Sequence, residues 1–318
     1  MAGSGKGFFR RSSRKAGYDF FAGYAWDVPG VGGLFGLLAW LLAGALLGNL
    51  VTVLLVPLFG TESVQEYAML ISYPLMFVPA LTAARYTSER NAMFETGYAL
   101  DNRNFGRMGG WGLALLCMLA TFALSFVMDL VNAQMPPMPE WLEDTLKTLT
   151  QGNLWVDFLC VSIMAPLLEE WLCRGMVLRG LLNCKRTDSA GNAVRGLRPV
   201  WAIILSALFF AVIHMNPWQA LPAFVLGCLF GYVYYRTGSL KLTMLMHFTN
   251  NTVALVLGNI ESVKEAETWL DILPVPVYAG ICAACAVFLV WFVREVGRIA
   301  LPRAQGACEE VFSIGENV

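Results

Sequence analysis

Eight apolar stretches run through this chain, and no water-soluble fold could bury them all. They cover approximately Gly33–Leu58, Tyr67–Ala84, Gly110–Met128, Leu154–Leu182, Pro199–Met215, Trp218–Tyr235, Leu240–Leu257 and Ile272–Val293. A bilayer core of roughly 30 Å takes about 20 apolar residues of helix to cross. The second, fifth, sixth and seventh stretches are short for that task, so a merged or re-entrant pair among them stays open. Composition agrees: 57% of residues are hydrophobic and 14% charged, against about 25% charged in soluble domains. The reading is an all-α, polytopic membrane protein with about eight transmembrane helices. Disorder is excluded for want of charge. A net charge of −1 offers no basic field for nucleic acid.

Lysine and arginine test this map independently, because cytoplasmic loops carry an excess of both. With the N-terminus placed in the cytoplasm, one side holds Lys6, Arg10, Arg11, Arg14 and Lys15; Arg85, Arg90, Arg103 and Arg107; Lys185, Arg186, Arg195 and Arg198; Arg236 and Lys241; and Arg294, Arg298 and Arg303. The other side holds Lys147 and Lys264, while Arg174 and Arg179 lie within the fourth stretch. The outer loops are acidic instead, with Glu62, Glu66, Glu140, Glu143 and Asp144 among them. Eight spans with both termini in the cytoplasm satisfy this split. The chain then divides into a basic segment 1–32, three spans with loops over 33–153, a core over 154–258, and a last span with its tail over 259–318. Glu140 to Leu149 reads as a short amphipathic helix on the membrane surface. The start of the chain shows no signal-peptide pattern, and its Gly-Glu-Asn-Val end no prenylation motif. Most of the eight cysteines lie in apolar runs and read as small buried hydrophobes.

Ionisable groups inside a bilayer cost roughly 2.5–3.5 kcal/mol each on insertion scales. The fourth stretch nevertheless holds Glu169, Glu170 and Arg174. Glu170 and Arg174 are four apart, share a helix face and can pair. Glu169 lies about 100° around the helix and lacks that partner. A carboxylic group so placed can serve as a general base or acid. His214 and His247, the only histidines, both lie in or at the edge of apolar stretches. Asn251 follows His247 by one turn and shares its face. Each of these has a plainer reading: a structural ion pair, packed histidines, an asparagine that holds helices together. Together they suggest one site built from three spans, with Glu169 and His247 slightly inside mid-membrane and His214 beyond it.

Glu169-Glu170-x-x-x-Arg174, Phe210-x-x-x-His214 and His247-x-x-x-Asn251 resemble the three motifs of the CPBP family, which includes CAAX prenyl endopeptidases and bacteriocin-processing and immunity proteins. The intervening Gly227-x-x-x-Gly231-Tyr232-x-Tyr234-x-Arg236-Thr237-Gly238-Ser239-Leu240 is similar too. The resemblance runs from Ala165 to Asn251, with Cys173 standing where the family often has Phe. It implies an intramembrane endopeptidase open to the cytoplasm. Glu169 would activate water, His214 would help hold that water, and His247 and Asn251 would stabilise the oxyanion. Glu170 and Arg174 would support them. Glu169, His214 and His247 are also a legitimate set for zinc or another divalent metal, although activated water without a required metal is the reading preferred. The implied partners are the lipid bilayer and a membrane-associated peptide or protein, in a bacterial plasma membrane. A non-enzymatic immunity or scaffold protein of the same fold, or a proton-coupled transporter, remains an alternative.

Overall fold

The computed structural model describes residues 30–91, 105–150, 153–182, 186–187, 193–194, 197–261, 263, 266 and 268–300. The basic residues before position 16, and Arg103, Lys185, Arg195, Lys264 and Arg303, lie outside them, as do Cys184 and Cys308.

Two long helices open the described chain, α1 (Gly30–Phe59) and α2 (Thr61–Asn91). They meet at Gly60, whose φ of +81° L side chains rarely adopt. They then pack against each other as a hairpin. The close approach is made by Gly44 and Gly48, a small-x-x-x-small pair that lets helix backbones touch. A Cβ on Gly44 would sit 2.0 Å from the Met76 carbonyl oxygen, and one on Gly48 would sit 2.7 Å from that of Ser72. Next come α3 (Gly109–Asn132) and the short α4 (Glu140–Thr150), which falls where the amphipathic helix was expected.

The fourth apolar stretch is one helix, α5, over residues 154–182. It opens on Asn153, whose side chain accepts from the Trp155 N–H. Its turns widen to π-helix at Phe158–Met164 and again at Trp171–Leu178. Pro166 explains the first widening. Having no N–H, it cannot close an intrahelical bond. The Ala165 N–H reaches back five residues to the Cys160 carbonyl, which leaves Val161 facing the missing donor. An Asn251 amide donates to the Val161 carbonyl at 2.9 Å from another helix. The second π segment is supported likewise, by Ser206 Oγ donating to the Cys173 carbonyl at 2.7 Å.

After a two-residue antiparallel ladder, β1 (Arg186–Thr187) with β2 (Ala193–Val194), four more helices follow. These are α6 (Pro199–Val212), α7 (Pro217–Thr237), α8 (Leu240–Gly258) and α9 (Val275–Gly297). Asn216 caps α7 by accepting from the Gln219 N–H. Asp129 ties one end of α3 to α9 by accepting from Tyr278 and from the Trp269 N–H. Arg236 donates to the carbonyls of Gly297 and Ile299, placing a cation at the C-terminus of α9, where the helix dipole favours it.

Two apolar cores result. One joins α1, α2, α5, α6 and α7 around Phe77, Leu172, Leu178 and Phe210. The other joins α3, α7, α8 and α9 around Leu113, Phe230, Met246 and Phe292. Helix α5 packs on α2, α6 and α8. Among the described residues, three helices are long and apolar enough to cross a membrane, covering Gly32–Phe59, Gly109–Asn132 and Val275–Gly297. Their outward faces expose large apolar side chains such as Phe35, Leu46, Trp111 and Val287. A soluble monomer rarely shows patches on that scale; an all-α membrane protein requires them. Six free cysteines lie among the described residues, none of them disulfide-bonded.

Candidate active site

Arg174 lies where the two cores meet, with no solvent exposure. Its guanidinium carbon is 4.5 Å from the centre of the Phe210 ring and 5.4 Å from that of Phe230. Arg174 Nη1 donates to Glu170 Oε1 at 2.6 Å, and Nη2 donates to the Gly227 carbonyl at 3.1 Å. The absence of a side chain at Gly227 favours this approach: an added Cβ would crowd it, at 3.2 Å from Arg174 Nη2 and 3.1 Å from Ala207. Burying two charges is repaid only when geometry and further hydrogen bonds satisfy them. Here a carbonyl and two aromatic faces add to what the carboxylate supplies, while Glu170 Oε2 and Arg174 Nε are buried without a hydrogen-bond partner among the described residues.

The same oxygen, Glu170 Oε1, accepts from His247 Nδ1 at 3.1 Å. A carboxylate partner keeps a proton on Nδ1, so His247 turns its other nitrogen, Nε2, to the opposite side. There it lies 3.9 Å from Glu169 Oε2. Glu169 is held at its other end, where Oε1 accepts from the hydroxyl of Tyr73 on α2. Glu169 Oε2 is buried and has no hydrogen-bond partner among the described residues. The result is a chain of contacts: Tyr73 to Glu169, across a gap to His247, then Glu170, Arg174 and Gly227. A carboxylate and an imidazole facing each other in a poorly solvated space can move a proton and stabilise a developing negative charge.

The other two expected members are placed differently. His214 follows the end of α6, beside Met215, whose φ of +58° turns the chain towards α7. Its Nδ1 donates to the Phe210 carbonyl at 2.7 Å. Among the described residues it makes no hydrogen bond or ion pair with Glu169, Glu170 or His247. The Phe210 ring packs edge-on to both imidazoles, with centroids 5.0 Å from His214 and 5.4 Å from His247. Asn251 lies one turn beyond His247 but spends its amide on Val161, while its carbonyl oxygen accepts from Asn250 at 3.1 Å. Asn250 in turn accepts from Ser125 at 2.8 Å.

Glu169, His214 and His247 therefore do not converge as a ligand set. Among the described residues no three His, Cys, Asp or Glu side chains gather in a way that could hold a metal. Sequence reasoning missed Tyr73. The available signal was a phenol inside an apolar stretch, where its O–H needs a partner.

Residues 151–253 match the family model described as type II CAAX prenyl endopeptidase, Rce1-like. Over 112 residues the chain is 33% identical to a protein of Staphylococcus aureus (strain USA300) named membrane-embedded CAAX protease MroQ. The match covers 33% of this chain and 41% of that relative, so the chain spans about two fifths of the relative's length. No solved structure matches. The two matches agree with the resemblance carried by the three motifs, and both describe CAAX proteases.

Proposed function

We propose that this chain, whose residues 151–253 carry the Rce1-like segment of the CPBP family, is an intramembrane endopeptidase that uses Glu169 to activate water. The observation that carries the reading is the facing pair: Glu169 Oε2, buried and without a partner among the described residues, 3.9 Å from His247 Nε2. A water that enters as these two side chains part would hydrogen-bond to both groups. Glu169 takes a proton from that water as its oxygen attacks the peptide carbonyl. Protonated His247 donates Nε2–H to the oxyanion, and the Glu170 carboxylate behind it stabilises the imidazolium. Glu169 then returns the proton to the leaving amine. General acid–base groups contribute roughly 10²–10⁴-fold each, and an oxyanion donor roughly 10²–10³-fold.

His214 keeps its supporting role through Nε2, the ring nitrogen not bonded to Phe210, as an acceptor for water or substrate. Asn251 can act as an oxyanion donor only through its second amide hydrogen or by releasing Val161. The proton path proposed uses only the two groups that face each other, Glu169 and His247. The substrate is a membrane-associated peptide or protein reached from the cytoplasm. The reading places the chain in a bacterial plasma membrane with both termini inside, the orientation that the lysine and arginine split favours.

Membrane proteomics of cells carrying the wild type or Glu169→Gln tests the reading. An uncleaved membrane-associated protein should accumulate in the variant. If the two proteomes are indistinguishable while both proteins reach the membrane, the endopeptidase reading is wrong and a scaffold of the same fold takes its place.

A further inference from the structure

Tyr73 lies well before residues 151–253, where the family match begins, and 96 positions before Glu169. Its hydroxyl nevertheless donates to Glu169 Oε1. Its ring packs on Phe77, which is fully buried, with centroids 5.5 Å apart. The backbone on either side is clamped. Gly48 meets Ser72 and Gly44 meets Met76, each closer than any side chain would permit. Pro74, the next residue, removes one backbone hydrogen bond from α2 just there. The phenol is thus set in depth and rotation by the α1–α2 hairpin before it meets the acid.

Glu169 needs such a partner. Its neighbour Glu170 is committed to Arg174 and His247, and among the described residues no lysine or arginine pairs with Glu169. A carboxylate held at one oxygen keeps a single rotamer and presents the other oxygen in a defined direction. Charge-assisted hydrogen bonds of this kind are short and roughly twice as strong as neutral ones.

We propose that Tyr73 is a positioning residue for the general base: by fixing Glu169 Oε1 it aims Oε2 at His247 Nε2. The first two helices, outside the matched segment, therefore complete the active site. This inference rests on the endopeptidase reading for its effect on turnover, but not for the contact itself.

The test uses the full chain in lipid nanodiscs and the variant Tyr73→Phe, which removes one oxygen. The activity probe is a farnesylated CAAX peptide with a quenched fluorophore. Tyr73→Phe should lower kcat by about 10²-fold, the scale for a misplaced reacting group, and leave KM within twofold. The second readout is the infrared carboxylate stretch assigned to Glu169 by its loss in Glu169→Gln. It should move in Tyr73→Phe and stay in place in Tyr67→Phe, a control on the same helix. Should Tyr73→Phe not fold, 3-fluorotyrosine at position 73 keeps the hydroxyl, changes its donor strength and should move the same band. An unchanged band overturns the inference, as does a kcat within twofold of wild type in an active preparation. A wild type that never cleaves the probe counts against the endopeptidase reading alone, since the band still reads the Tyr73–Glu169 contact.

Discussion

Arg174 is the residue on which most of the site's charge balance depends. It neutralises Glu170, which in turn orients His247, and it satisfies the Gly227 carbonyl between two phenyl rings. Arg174→Met would leave a buried carboxylate without its cation. A loss of about 3–5 kcal/mol is expected, the usual cost of breaking a buried pair from one side, and thermal unfolding in detergent measures it. Arg174→Lys should not restore the protein fully. An ammonium cannot reach Glu170 and Gly227 as a fork while stacking on Phe210 and Phe230. Replacing both partners, with Glu170→Leu and Arg174→Met, should recover part of the stability and none of the activity. That outcome would separate the pair's structural role from its hold on His247.

At the scale of elements, the widened turns of α5 depend on its neighbours. Asn251→Ala would strip the Val161 carbonyl of its donor, at a cost of about 1–3 kcal/mol for an unsatisfied buried group. Pro166→Ala would return an N–H to the helix. In the double variant the cost of losing Asn251 should therefore shrink, and a double-mutant cycle of unfolding free energies reads that coupling. The hairpin of α1 and α2 makes a second test. Gly44→Leu drives a side chain into the Met76 backbone. Overpacking costs about 1–3 kcal/mol, and here it should also lower activity by displacing Tyr73. The same substitution at Gly36, where an added Cβ meets nothing within 4 Å, should do neither.

For the whole molecule, the outer face decides the solvent. The three longest apolar helices bury 22%, 39% and 17% of their most apolar windows inside the protein, so most of that surface must meet lipid. The charge split carries the proposed orientation of the bundle. Cysteines placed at Glu62 and at Arg298, on opposite ends by this reading, should differ in intact cells. An impermeant maleimide added outside should label the first and spare the second, and the reverse pattern would invert the topology. The two apolar cores meet around α5, α7 and α8, so the candidate site forms only when both halves of the chain have docked.

Much of this was legible in the residues because it is local. Transfer from water to lipid is set residue by residue, so the apolar stretches announced a helical membrane protein, and each of them holds one of the nine described helices α1–α9, all but the short α4. Spacing along one helix is local too, so Glu170 with Arg174 could be paired from their four-residue separation. The rest was decided by how helices rotate and cross. Which oxygen of Glu169 meets Tyr73, and why Asn251 serves Val161, depend on contacts between residues far apart in the chain. Those contacts follow from where glycines let backbones touch and where large side chains fill what remains, and no single segment of sequence contains that information.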